Sequence, residues 1–165
     1  MINSLLSMTL PEVLLLAFLI GVVAGLRSMT APAVVAWAAH LHWLKLQSSP
    51  LSSIGSTVAV VVFTLGALIE LVFDKLPVTP PRTKGAGLIA RILFGGVTGA
   101  AVASSGSQSM ALGATLGAAG ALAGAFGGYQ GRVRLVRALK VPDFVIALLE
   151  DAVAIGGGFF IVSRF

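Results

Sequence analysis

The chain has 165 residues, of which 57% are hydrophobic and 10% charged, with a net charge of +5 and no cysteine. A soluble domain carries about 25% charged residues, so this composition, with a mean hydropathy of +1.01, excludes a water-clothed globule and commits the chain to the lipid bilayer as its partner. Without cysteine there are no disulfides, thiolate metal sites or cysteine nucleophiles. The basic residues sit in short loops, which reads as orientation and contact with anionic lipid headgroups, not nucleic acid.

Met1 to Thr9 lacks a basic n-region, so the apolar run Leu10 to Leu26 reads as a retained first helix. Pro11 and Glu12 suit its first turn. Arg27-Ser28-Met29-Thr30-Ala31-Pro32 then forms a break, with Ser28 or Thr30 placed to cap the next helix. Ala31 to Leu46 is apolar but short, and ends in the interfacial set His40, His42, Trp43 and Lys45. Gln47 to Ser53 reads as a loop and Ile54 to Phe73 as a crossing. Asp74 to Lys84 is a Pro-rich loop, followed by crossings at Gly85 to Ala103 and Met110 to Phe126. Gly128 to Val141 reads as a basic connecting segment, and Pro142 with Asp143 starts a last crossing that runs to Val162.

The expected fold is an all-α, polytopic transmembrane bundle in a single domain. Two topologies are open. If Ala31 to Leu46 spans, there are six crossings. Arg27, Lys75, Arg82, Lys84, Arg132, Arg134, Arg137 and Lys140 then share one side, against Lys45 and Arg164. If it dips in or lies flat, there are five, and Arg27 changes sides. The basic side is expected in the cytoplasm of a bacterial inner membrane. Six crossings divide into three plus three with opposed senses, the arrangement of inverted repeats.

Gly113, Gly117, Gly120, Gly124 and Gly128 follow helical spacing, and Gly95 with Gly99 adds a second small-residue pair. Such faces let helices approach closely in lipid, either within one chain or across a homodimer seam. The second signal is ionisable residues inside apolar runs, each costing about 2.5–3.5 kcal/mol at a helix centre on insertion scales. Glu70, Asp74, Glu150 and Asp151 are set against Arg27, Arg82 and Arg91 at one end of the bundle. Asp143 and Glu150, seven apart, share a face, while Asp151 points about 100° away. Two neighbouring acids cannot both face one arginine, which favours a polar pocket or pathway over a structural clamp. The binding or pathway set is therefore Arg27, Ser28, Thr30, Glu70, Asp74, Arg82, Arg91, Glu150 and Asp151. His40 and His42 face different ways on a helix, and no Walker loop, zinc motif or nucleophile elbow occurs. No catalytic residue, metal or cofactor is assigned.

The blocks Gly25-Leu26-Arg27-Ser28-Met29-Thr30-Ala31-Pro32, Pro80-Pro81-Arg82-Thr83 with Ala90-Arg91, and Glu150-Asp151-Ala152-Val153-Ala154-Ile155-Gly156-Gly157 resemble the signature blocks of a bacterial membrane family catalogued as domain of unknown function 4126. The resemblance covers nearly the whole chain and implies a membrane fold with its charged residues in those blocks. Gly25 to Thr30 is also similar to loops of undecaprenyl-diphosphate phosphatases, whose paired-glutamate motif is not evident. The expected function is a small transporter or channel-like protein for an anionic or phosphate-bearing solute or lipid, with proton coupling through the acids. The alternatives are a membrane-embedded lipid-phosphate enzyme and a scaffolding subunit that packs through its glycine faces.

Overall fold

The computed structural model of the chain describes residues 8–74, 83 and 85–165. It contains the helices α1 (Leu10–Leu26), α2 (Thr30–His40), α3 (Thr57–Phe73), α4 (Gly85–Ser105), α5 (Met110–Leu139) and α6 (Asp143–Val162). One 3-10 turn, Ser52–Gly55, precedes α3, and there is no strand among the described residues. α4, α5 and α6 are long and apolar enough to cross a membrane. α1 and α3, at 17 residues each, are shorter apolar helices.

Local chemistry explains the helix starts. Glu12 reaches back to accept the Thr9 backbone N–H at 2.7 Å, which ties down the first turn of α1. The Ser56 hydroxyl accepts the Ala59 N–H at 3.2 Å at the start of α3. Pro142 and Asp143 open α6, with the acid at the positive end of the helix dipole. α5 stops where Lys140 turns left-handed, at φ 52°. The expected caps of α2 are different. Met29 is its N-cap and no side chain of the break caps it; the cap comes from Glu70, as shown below.

The helices alternate in direction. α2 runs antiparallel to α3: Ser28 meets Glu70 at one end, Trp37 Nε1 donates to Thr64 Oγ1 at 3.0 Å, and His40 Nδ1 meets the Gly55 carbonyl at 3.0 Å. α4 is antiparallel to α5, with Gly95 against Gly117 and Gly99 against Gly113. α1 is parallel to α5, with Gly21 against Gly117 and Gly25 against Gly124. α6 is parallel to α2: Asp151 meets Arg27, and Gly158 meets Val34. The described residues thus make six passes through the bundle, and the two sets of three run in opposite senses. Their middle helices differ, since α2 has 11 residues and α5 has 30.

Two segments depart from the sequence reading. α2 is only about 16 Å long, roughly half of a bilayer core, so the second pass is completed by turns that carry the buried Leu44 and Leu46. Its backbone groups are satisfied inside the protein: Trp43 and Leu44 donate to the Ala38 carbonyl, and Lys45 donates to Ser105 Oγ. In addition, Gly128 to Val141 is mostly not a connecting loop. α5 continues through it to Leu139, and its length of about 45 Å exceeds a bilayer core of about 30 Å, with Arg132, Arg134 and Arg137 in its last third.

The tightest packing joins α1, α4 and α5. Gly113, Gly117, Gly120 and Gly124 are buried on α5, between the two neighbouring helices. A methyl on Gly117 would collide with the Gly95 carbonyl oxygen, and one on Gly120 with the Phe18 carbonyl oxygen. Only glycine permits backbones this close. A homodimer seam along these glycines would have to displace α1 or α4. Gly128 is only half-buried.

Candidate functional site

The site lies where α1 breaks into α2. At such a break the last carbonyls of one helix and the first N–H groups of the next lack intrahelical partners. The C-terminal end of α1 attracts cations and the N-terminal end of α2 attracts anions. The structure supplies both from other helices.

Glu70, near the end of α3, takes the N-terminus of α2. Its Oε1 accepts the Ser28 backbone N–H at 2.8 Å and the Ser28 hydroxyl at 2.7 Å, and its Oε2 accepts the Met29 N–H at 2.8 Å. Arg91 Nη2 lies 3.4 Å from Oε1. Arg91 itself is 5% exposed. Its Nε donates to the Gly25 carbonyl at 3.2 Å and its Nη1 to the Gly87 carbonyl at 3.0 Å. Arg91 thus caps the end of α1 and faces the carboxylate that caps α2.

Arg27 is the most enclosed charge, with no exposed surface. Its Nη1 pairs with Asp74 Oδ2, one turn beyond Glu70. Its Nη2 lies 2.6 Å from Asp151 Oδ1 of α6, close enough for charge pairing but off the hydrogen-bond direction. Its Nε has no hydrogen-bond partner. Arg27 therefore links α1, α3 and α6 through one guanidinium. Thr30 is buried in the first turn of α2.

The neighbouring acids of α6 divide between two cations. Asp151 turns inward to Arg27, and Glu150 lies 3.7 Å from Arg132 Nη1. Arg132 also holds Asp143, with Nε donating to Oδ1 at 2.9 Å and Nη2 paired with Oδ2. The two acids need not share one arginine, because Arg132 serves the second. Its role was missed in the sequence, where it reads as an orientation charge. The available signal was the pair Asp143 and Glu150 on one helix face just after a tight turn from α5.

Most of the expected set converges here: Arg27, Ser28, Glu70, Asp74, Arg91 and Asp151 form the inner cluster. Glu150 belongs to the outer pair with Arg132. Arg82 lies outside the described residues, as do Lys75 and Lys84. His40 and His42 are far from the cluster, at the other end of α2, and His42 is not on the helix that the expectation assumed. Helix α2 stops at His40, His42 takes φ 63°, and both line one open cleft with Gln47 and Ser56. No group of three or more potential metal-binding His, Asp or Glu side chains occurs among the described residues.

Residues 14–163 match the family model described as Domain of unknown function (DUF4126). No curated protein and no solved structure matches the chain. The matched span contains the whole inner cluster, together with Arg132 and Asp143, and extends over nearly the full sequence. The chain belongs to the DUF4126 family of domains of unknown function.

Proposed function

We propose that the chain is a small membrane transporter or channel-like protein whose charged site handles a small anionic or phosphate-bearing solute or lipid headgroup. One observation carries this reading. Two successive backbone N–H groups, a hydroxyl and a buried guanidinium converge on a single carboxylate inside an apolar bundle. Helix starts with added cationic side chains are general anion-binding devices, and in membrane transporters broken helices commonly line the substrate site. The end carrying Arg27, Arg132, Arg134, Arg137 and Lys140 is the cytoplasmic one in this reading, in accord with the bias of basic residues. Glu70, Asp74 and Asp151 are the groups that would carry a coupled proton.

The test is flux in proteoliposomes loaded with radiolabelled inorganic phosphate, with a short-chain carboxylate such as acetate as the second probe. Wild-type protein is expected to speed efflux of at least one probe, and Arg91→Ala to abolish that gain while the protein remains folded. Flux in Arg91→Ala equal to wild type would refute the reading.

A structural reading has its own observation: Arg27 is held by acids from two other helices, the arrangement of a clamp. It predicts that the cluster governs stability alone and that no probe crosses. The enzyme reading gains nothing comparable, because both histidines lie at the other end of α2, about 15 Å of helix away from Ser28.

A further inference from the structure

The donors at the α1–α2 break are filled by a side chain that belongs to neither helix. α3 brings Glu70 there, and α3 is the least embedded element of the bundle. Val60 is its one buried residue, while Val58, Val62, Ile69 and Val72 are each more than half exposed to the surroundings. Its packing partners are chiefly α2 and the 3-10 turn. Glu70 and Asp74 both lie at the negative end of their own helix dipole, where acids are disfavoured. Two charges tie this end of α3 to the bundle: Glu70 in the α2 start and Asp74 on Arg27.

The seat does not depend on Glu70 for its shape. Arg91 is anchored through Nε and Nη1 to the carbonyls of Gly25 and Gly87, at 3.2 and 3.0 Å, and its contact with Glu70, at 3.4 Å, is longer than either. The Ser28 and Met29 N–H groups are fixed by the helix that follows. Such donors do not distinguish a tethered carboxylate from a free oxyanion of similar size.

We propose that Glu70 is a tethered competitor: it occupies an oxyanion seat formed by Ser28, Met29 and Arg91, and α3 withdraws to admit an external carboxylate or phosphate group. The inference rests on the anion-handling reading and names its gate and ligand class. Facing Glu70 are Arg91 from α4 and the Ser28 and Met29 donors, with the Arg27–Asp74 pair one turn away.

The experiment is anion rescue in the full-length protein. Glu70→Ala removes the tethered carboxylate and leaves the donors. In phosphatidylcholine nanodiscs it is expected to melt below wild type and to regain stability saturably with sodium formate. Sodium chloride at equal ionic strength is expected to do less, and wild type to respond to neither. An equal rise with chloride and formate, or no rise in a folded variant, overturns the proposal. Repeating the melt in phosphatidylglycerol nanodiscs without formate identifies the source. Rescue there marks a lipid headgroup as the oxyanion, and rescue by formate alone marks a free one.

Glu70→Gln keeps the side-chain volume if the alanine variant fails to fold. Equilibrium dialysis is then expected to show about tenfold tighter binding of radiolabelled phosphate than in wild type. Equal, measurable binding overturns the tethered competitor and leaves the anion-handling reading standing. Binding in neither protein overturns both.

Discussion

The two sides of this bundle are held by different physics. α1, α4 and α5 meet backbone to backbone through Gly21, Gly25, Gly95, Gly99, Gly113 and Gly117. α3 and the start of α6 are tied in by ion pairs through Arg27, Arg91 and Arg132. Lipid gives little hydrophobic drive between helices, so each side needs a specific device. Close glycine packing has one geometry and tolerates no insertion. Paired charges can exchange partners with protons, anions and water. The glycine side is thus suited to be the frame, and the charged side to be the part that changes.

The largest effect is expected at the frame. Gly117 sits between α1 and α4, and Gly117→Leu would drive a side chain into the α4 backbone at Gly95 and Gly99. Overpacking a core costs about 1–3 kcal/mol even where side chains can yield, and here the obstacles are carbonyl groups. Loss of monodisperse protein in size-exclusion chromatography is the expected result. A wild-type elution profile and melt would show that the α1–α4–α5 contact is not the frame.

Next comes Arg27→Ala, which leaves Asp74 and Asp151 without their shared cation. Removing one partner of a buried pair costs about 3–5 kcal/mol. The double variant Arg27→Ala with Asp151→Asn should cost less than the sum of the two single changes, measured by thermal unfolding in detergent. Strict additivity would mean that the two groups do not interact.

Arg132→Ala should cost less than Arg27→Ala, about 1–3 kcal/mol, because Asp143 is 63% exposed and stays in water, although Glu150, with its side chain 9% exposed, loses a contact. A loss as large as that of Arg27→Ala would erase the distinction between inner and outer clusters. The smallest effect is expected at Gly131, in the projecting part of α5, where an added methyl meets nothing. Gly131→Ala should be neutral or raise stability by up to about 1 kcal/mol, from helix propensity alone. The contrast between Gly131 and Gly117 shows that position, not residue type, sets the cost of losing a glycine.

Much of this was legible in the sequence where the signal is local. α1 and α6 have the expected bounds, because Pro11, Glu12, Pro142 and Asp143 mark helix starts. The helix-face argument placing Asp143 with Glu150, and Asp151 elsewhere, matches the pairing with Arg132 and Arg27. Other features were not local. The basic segment Gly128 to Val141 reads as a connection, yet α5 continues through it to Leu139, and pairing of Arg132 with α6 helps hold it in place. Likewise, Ser28 and Thr30 are good capping residues, but the carboxylate that caps α2 comes from Glu70, one whole helix away. No spacing rule connects those positions, because the contact depends on how α3 packs against α2.

The most direct test uses the absence of native cysteine. A single cysteine replaces Ser28, and membrane-impermeant thiol reagents are applied to each face of sealed vesicles in turn, with folding checked by a melt. The account predicts labelling from the face carrying Arg132, Arg134 and Arg137, slowed by added phosphate. Labelling from the opposite face only would overturn the orientation, and none from either face in a folded protein would mean that the charges are sealed against one another and that no anion reaches the seat.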